Sequence, residues 1–390
     1  MTPSTGRIDP KGLIPPVIMK AVHLTSVHSP WDPRIYEKQC RSLSAAGVEV
    51  VLVAPADKDS VGNGVTIRVV PSPASRLARW LITIPAVVRA ARRERPDVYH
   101  IHDPELLPAG LVMRLIGRRV IYDVHEDYVT AIRQKRWIPR LLRGAVARLA
   151  DAAERACASG LEVVVAERYY VERFSGATAV LNYPDPGEWA VSPPLFSPVG
   201  RLLYTGSITT DRGAVNHARL LSLLEGFEVH LVGRISAALL RQLRTAAGAT
   251  SDRLVVPFVD RYVPPAEIRK YCSDRGWLAG LALFPRTPHY ARKELTKFFE
   301  YMAMGLPVLA TDFPAWENLL SESGAGVVVP PEDMARCAAA VEALLEQGET
   351  ARSMGLAGRR AVESRYRWST QADRLVNLYL RPGPGAAAVT

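Results

Sequence analysis

The sequence predicts an α/β protein built from two doubly wound, Rossmann-like domains facing a central cleft. Three observations lead there. Short apolar strands alternate with helical stretches from one end of the 390 residues to the other. The strands are near-continuous runs of Val, Leu and Ile, the composition of strands buried on both faces and therefore parallel. Two such series are separated by the proline-rich stretch YPDPGEWAVSPPLFSP, 183–198, which reads as a connection between domains. A chain of this length also exceeds what one ordinary core holds.

In the first half, strands are expected at 17–25, 48–55, 98–102, 119–124, 162–166 and 178–182. In the second they are expected at 201–206, 227–233, 253–259, 278–284, 307–311 and 325–330. The resulting division is a flexible extension over 1–17, a first domain over 18–183, a linker over 184–199 and a second domain over 200–365. A final helix over 366–380 and a disordered tail over 381–390 complete it. Met19 is an alternative start, and the residues before it carry no apolar core long enough for a secretion signal.

Bulk chemistry narrows the classes. No stretch approaches the ~20 apolar residues of a membrane span. Four scattered cysteines, with no CxxC pair, point to reduced thiols in a cytosol rather than to a disulfide framework or a zinc site. The net charge of +10 suits phosphorylated ligands or an anionic membrane, and no nucleic-acid-binding module is visible.

In open parallel sheets ligands bind beyond the carboxyl ends of the strands, so the loops there carry the chemistry. Asp32-Pro33 and Asp103-Pro104 both read as helix starts, a carboxylate cap followed by proline. His28 and Arg34 flank the first of these and are candidates, with Asp103, for acceptor binding. The strand IYDV delivers His125, Glu126 and Asp127 to its carboxyl end, where titratable groups suit proton transfer or sugar hydroxyls. In YTGSITTDRG the turn at Gly206 and Ser207 offers backbone amides to an anion, and Arg212 adds a full charge. In KELTKFFEYMAMGLPVLATD, Thr296 is placed as the cap of a helix that ends at Gly305. Lys297 in its first turn suits a diphosphate, and Glu300 suits ribose hydroxyls. The run Asp57-Lys58-Asp59 reads as a solvated turn, not a metal site.

These segments carry a family likeness. TKFFEYMAMGLPVLATD closely resembles the carboxyl-half signature of the GT-B retaining glycosyltransferases of family 4. TGSITTDRG is similar to their first C-domain loop, and VLNYPD, HIHDPELLPAG and YDVHE resemble their N-domain pattern. The likeness runs from about Met19 to Leu380. It implies a nucleotide-diphosphate sugar held by the second domain, an acceptor held by the first, retention at the anomeric carbon, and neither metal nor cofactor. It implies a ribose role for Glu300, diphosphate roles for Arg212 and Lys297, and a place near the transferred sugar for His125. It also implies that the 368–380 helix crosses back to the first domain. Two positions depart from the pattern. Arg292 stands where the first carboxylate of a Glu-x7-Glu pair is expected, with Glu294 nearby, and Ser207 stands where an arginine is common.

Two basic segments, 75–95 and 135–150, read as amphipathic helices. Their apolar faces either pack on the sheet or lie on an anionic bilayer at the inner face of the cell membrane, which would make the acceptor lipid-linked, as in envelope polysaccharide assembly. Other classes remain open at this stage: a catalytically weakened accessory subunit that binds nucleotide sugars, a nucleotide-sugar epimerase, or a membrane-surface scaffold.

Overall fold

A computed structural model describes residues 19–72, 75–135, 138–189 and 195–381. The expected extension over 1–17, and the tail apart from Arg381, lie outside these residues, as does Trp137 of the second basic segment.

The first-half strands are β1 (Lys20–Leu24), β2 (Glu49–Pro55), β3 (Ser60–Gly62), β4 (Val65–Val70), β5 (Val98–Ile101), β6 (Arg119–Val124), β7 (Glu162–Val165) and β8 (Thr178–Ala179). They form one sheet in the order β3-β4-β2-β1-β5-β6-β7-β8. The second half contributes β9 (Arg201–Thr205), β10 (Glu228–Val232), β11 (Leu254–Val255), β12 (Ala279–Ala282), β13 (Val308–Thr311) and β14 (Gly326–Val329), in the order β11-β10-β9-β12-β13-β14. Every pairing is parallel except β3 with β4.

That hairpin is not among the expected strands. Asn63 and Gly64 form its two-residue turn with φ of 49° and 75°, the backbone that matches strand twist in a tight hairpin. Asp59 accepts a hydrogen bond from the Val69 amide at 2.8 Å and thereby pins the edge.

The strand order reverses between β1 and β5 in one sheet and between β9 and β12 in the other. Each reversal opens a crevice at the carboxyl ends. One apolar core fills the second half, around Leu203, Leu231, Leu281 and Phe298. Two smaller cores lie on the two faces of the first sheet. One of these includes Trp368, Leu375, Leu378 and Tyr379, so the Trp368–Leu380 helix packs on the first-half sheet. Trp368 Nε1 donates to Ser42 Oγ at 2.9 Å, and Gln371 Oε1 accepts from the Leu181 amide at 3.0 Å. In the linker, the Leu195 amide bonds Met304 O at 3.0 Å and the Ser197 amide bonds Trp277 O at 2.8 Å, so this part runs along the second domain.

The basic segment 135–150 is not one helix. A helix runs Tyr128–Gln134 and another begins at Arg143, with Pro139 between them, where a missing N–H and a fixed φ interrupt the ladder. Leu141 is 96% exposed and Leu149 73%. The 75–95 segment is helical from Arg76 to Arg93. Val87 and Ala91 are buried, but Leu77, Trp80, Leu81 and Ile82 face solvent. These apolar faces pack in part: Val87, Ala91, Ile138 and Ala147 are buried and Ile84 and Val88 pack against the core, while the exposed residues just named do not. No helix among the described residues is long and apolar enough to cross a membrane.

Candidate active site

The carboxyl ends of both sheets meet at a cavity of about 460 Å³. The second half lines it with Thr205, Gly206, Arg212, Phe284, His289, Tyr290 and the run from Lys293 to Lys297, followed by Glu300. The first half adds Glu126, Ala131 and Glu167.

The second-half wall is built by two helix starts. After β9 the chain turns at Gly206, forms a single turn over Thr210–Arg212 and enters the Ala214–Leu221 helix through Gly213. Gly213 has φ 80°, and a Cβ there would lie 2.1 Å from Leu283 O, so only glycine brings this helix against the β12 strand end. Arg212 is thereby placed on the cavity wall beside Tyr204 and Tyr290.

The second helix, Thr296–Ala303, is preceded by Leu295, and no side chain caps it. Thr296 is its first residue rather than its cap, which leaves its first amide donors free towards the cavity. Lys297 is buried, its ammonium 4.8 Å from the Tyr204 ring centre and 5.1 Å from that of Phe284. No described residue gives it a hydrogen bond or a salt bridge. Burial, reinforced by Arg212, lowers its pKa to about 7 against the pull of Glu300. Burial raises Glu300 above the usual carboxylate range, with Lys297 and Lys38 opposing. Thr205 Oγ1 lies 3.5 Å from its Oε2.

On the first-half side, His125 belongs to a buried polar network. His125 Nε2 lies 2.6 Å from Asp123 Oδ2 and 3.0 Å from His102 Nδ1. His102 Nε2 meets His23 Nδ1 at 2.8 Å, and Tyr379 of the last helix lies 3.2 Å from His23 Nε2 and 2.7 Å from His100 Nδ1. Burial lowers the pKa of His23 and His100 well below the usual range and that of His102 to about 4, so these rings are neutral. Asp123 also accepts from Arg34 (3.0 and 2.6 Å) and from Gln39 (2.6 Å), which holds it ionised despite burial.

Several expected assignments change. Arg34 spends its guanidinium on Asp123, Val180 O and Asn182 Oδ1, so it orders strand ends instead of facing an acceptor. Asp32 caps the Pro33–Cys40 helix as expected, but Asp103 caps nothing. Its carboxylate accepts from Thr25 Oγ1 and the Ser26 amide and lies 3.3 Å from His28 Nε2. Against the pull of burial, Asp103 and Asp32 raise the pKa of His28 to about 10, so His28 is a cation at the mouth of the first-half crevice. Arg292 does not line the cavity. It pairs with Glu172 and lies over the Tyr169 ring at 4.9 Å, at an exposed contact between the halves. Glu294 does reach the cavity, but its oxygens are taken by Arg168 at 2.7 Å and Tyr183 at 3.1 Å. Ser207 is exposed and stands outside the cavity lining; its carbonyl accepts from Tyr204.

Sequence reasoning missed Glu167, Lys293, His289 and Tyr290. Glu167 follows β7 at a strand end, the one signal that marks it. His289 accepts or donates at 2.7 Å to Thr130 Oγ1 of the first half and lies 3.0 Å from Lys293 Nζ.

Two family models match the chain. The Glycosyl transferase 4-like domain covers residues 34–175, and a domain described as Glycosyl transferase-like covers residues 215–377. A phosphatidyl-myo-inositol mannosyltransferase of Mycobacterium leprae is 25% identical over 376 residues, which span 86% of this chain and 89% of that protein. Among solved structures, sucrose-phosphate synthase from Thermosynechococcus elongatus superposes with a TM-score of 0.72 at 16% identity, covering 93% of this chain and 98% of that one. Anabaena HepE in complex with UDP and glucose gives 0.69 at 13%, covering 93% and 99%. WaaG, a glycosyltransferase involved in lipopolysaccharide biosynthesis, gives 0.68 at 14%, covering 93% and 100%. With one family model on each half, and a cavity that both sheets share, the chain belongs to the group 1 glycosyltransferases of the GT-B fold.

Proposed function

We propose that this glycosyltransferase moves a sugar from a nucleotide-diphosphate sugar to an acceptor hydroxyl, with retention and without a metal, in glycolipid or envelope polysaccharide assembly at an anionic membrane surface. Lys297 carries the reading: a buried ammonium with no hydrogen bond or salt bridge among the described residues stands in a cleft beside Arg212 and an uncapped helix start. Departure of a sugar from a diphosphate develops negative charge on the phosphates, and cations and amides fixed in advance stabilise it most in the transition state. Arg212 and Lys297 supply the charge that a divalent ion supplies elsewhere. Glu300 accepts hydroxyls of the ribose. His125, held by Asp123 and next in sequence to Glu126 of the cavity wall, is assigned to the transferred sugar on the family resemblance, though it does not itself line the cavity. Structural relatives bound to UDP and UDP-glucose, and a relative named for a phosphatidyl-myo-inositol acceptor, support the donor and lipid classes.

The membrane part rests on Leu77, Trp80, Leu81 and Ile82, exposed beside the exposed Arg89, Arg92 and Arg93. Melting of the pure protein with UDP, GDP and ADP and with their sugars tests the donor class: one diphosphate raises Tm and its sugar is transferred in the presence of EDTA. If no nucleotide diphosphate stabilises the protein, the reading fails. If one binds but no sugar moves, the chain is an accessory subunit.

A further inference from the structure

Glu167 bridges the two halves. It follows β7, and its Oε2 accepts from the amide of Glu294 at 3.0 Å, two residues before the helix that presents Lys297. The carboxyl lines the shared cavity, and no described residue hydrogen-bonds its other oxygen. The other carboxylates nearby are engaged, stand elsewhere or are open to solvent. Glu294 is held by Arg168 and Tyr183, Asp127 caps the Tyr128–Gln134 helix, and Glu300 lies by Thr205 at the Arg212 and Lys297 end. Glu126 lines the wall but is exposed.

We infer that Glu167 is a specificity residue that reads ring hydroxyls of the transferred sugar through its free carboxyl oxygen. The inference rests on the proposed donor class. With the diphosphate on Arg212 and Lys297 and the ribose on Glu300, the sugar occupies the remaining part of the cavity, where Glu167, Lys293 and His289 converge. Burial raises the pKa of Glu167 to about 8, opposed by the Glu294 amide and by Lys293. A protonated carboxyl both donates and accepts, which suits a hydroxyl that does the same. Because its second oxygen bonds an amide of the opposite half, a sugar held there is held by a group that also ties the halves together. A hydroxyl in the wrong orientation leaves this half-buried carboxyl unpaired, and sites built to hydrogen-bond a substrate hydroxyl discriminate strongly on that ground.

The test measures affinity of wild type, Glu167→Gln and Glu167→Ala for UDP and UDP-glucose, and for GDP and GDP-mannose, by calorimetry. In the alanine variant the nucleotide diphosphate binds within about twofold of wild type. The extra affinity given by the sugar falls about tenfold or more, the typical size of one lost hydrogen bond to a buried charged or polar group. The glutamine variant keeps part of it, since an amide also donates and accepts. An unchanged sugar increment in the alanine variant overturns the inference. So does equal loss of diphosphate and diphosphate-sugar binding with Tm retained. Failure of wild type to bind any of the four ligands, or ADP and its sugar, sinks the donor class instead, and thus separates the two claims.

Discussion

Asp123 Oδ2 lies 2.6 Å from His125 Nε2, so the ionised carboxylate fixes the ring proton on that nitrogen. The second ring nitrogen, Nδ1, is left as an acceptor. The arrangement is the one in which a carboxylate orients an imidazole. His125→Ala is expected to lower kcat about 10²-fold or more, the usual contribution of a positioned acid–base group, with little change in Tm. Asp123→Asn is expected to do both kinds of damage. It unseats His125 and leaves the buried Arg34 without its carboxylate, which costs about 3–5 kcal/mol when one partner of a buried pair is removed. Steady-state kinetics alongside denaturant unfolding separates the two effects. Wild-type kcat in a folded His125→Ala protein removes the histidine from the reaction.

Lys297 gives a pH dependence whose sign is fixed. Its pKa in the ligand-free protein is lowered to about 7, first by burial and then by Arg212. A diphosphate favours the charged form and raises that value. Between the two values binding takes up a proton, so affinity for a nucleotide diphosphate falls as pH rises above 7, by up to about tenfold per unit. Calorimetry at pH 8 in buffers of different ionisation enthalpy reads the proton directly. Lys297→Ala abolishes the uptake and, like Arg212→Ala, lowers turnover about 10²-fold or more. Absence of proton uptake in wild type counts against Lys297 as the phosphate group.

The strands were legible because burial on both faces leaves a short apolar run, as in VVLVAP at 50–55, with turn signals on either side. The β3–β4 hairpin carried its own signal in Asn63-Gly64 between Val61 and Val65, but polar flanks disguised it. Arg212, Lys297 and Glu300 were legible because each sits at a fixed offset from a helix start. Arg292 was misplaced because spacing along a loop does not fix direction, and this side chain turns to Glu172 across the halves. Glu167 and His289 belong to the cavity only through contacts between halves, which local pattern does not record. The spacing of His100 and His102 put both rings on one sheet face, yet their meeting with His23 and Tyr379 needed the strand order and the return of the last helix.

The exposed apolar residues of the 75–95 segment predict lipid dependence. Trp80→Glu with Leu81→Glu removes two large side chains from the surface that would enter the interface, each contributing about 1.5–3 kcal/mol when buried. Flotation with vesicles containing anionic lipid is expected to show binding by wild type that weakens at high salt and at least a tenfold loss in the double variant. Equal flotation of both proteins, or none by wild type, removes the membrane contact while leaving the donor site untouched.

Gly213 links stability to the donor site. Its φ of 80° already disfavours any side chain, and the added Cβ of Gly213→Ala would meet Leu283 O at 2.1 Å, a backbone atom that cannot swing away. The Ala214–Leu221 helix must then shift from the β12 strand end, and Arg212, one residue before the glycine, moves with it. Unfolding free energy is expected to fall by about 1–3 kcal/mol, the range of a strained backbone position. Affinity for the nucleotide diphosphate should fall as well, and by more than in a surface variant such as Arg219→Ala at the far end of the same helix. A Gly213→Ala protein with unchanged denaturant midpoint and unchanged diphosphate affinity would show that this helix start tolerates displacement and that Arg212 does not depend on it.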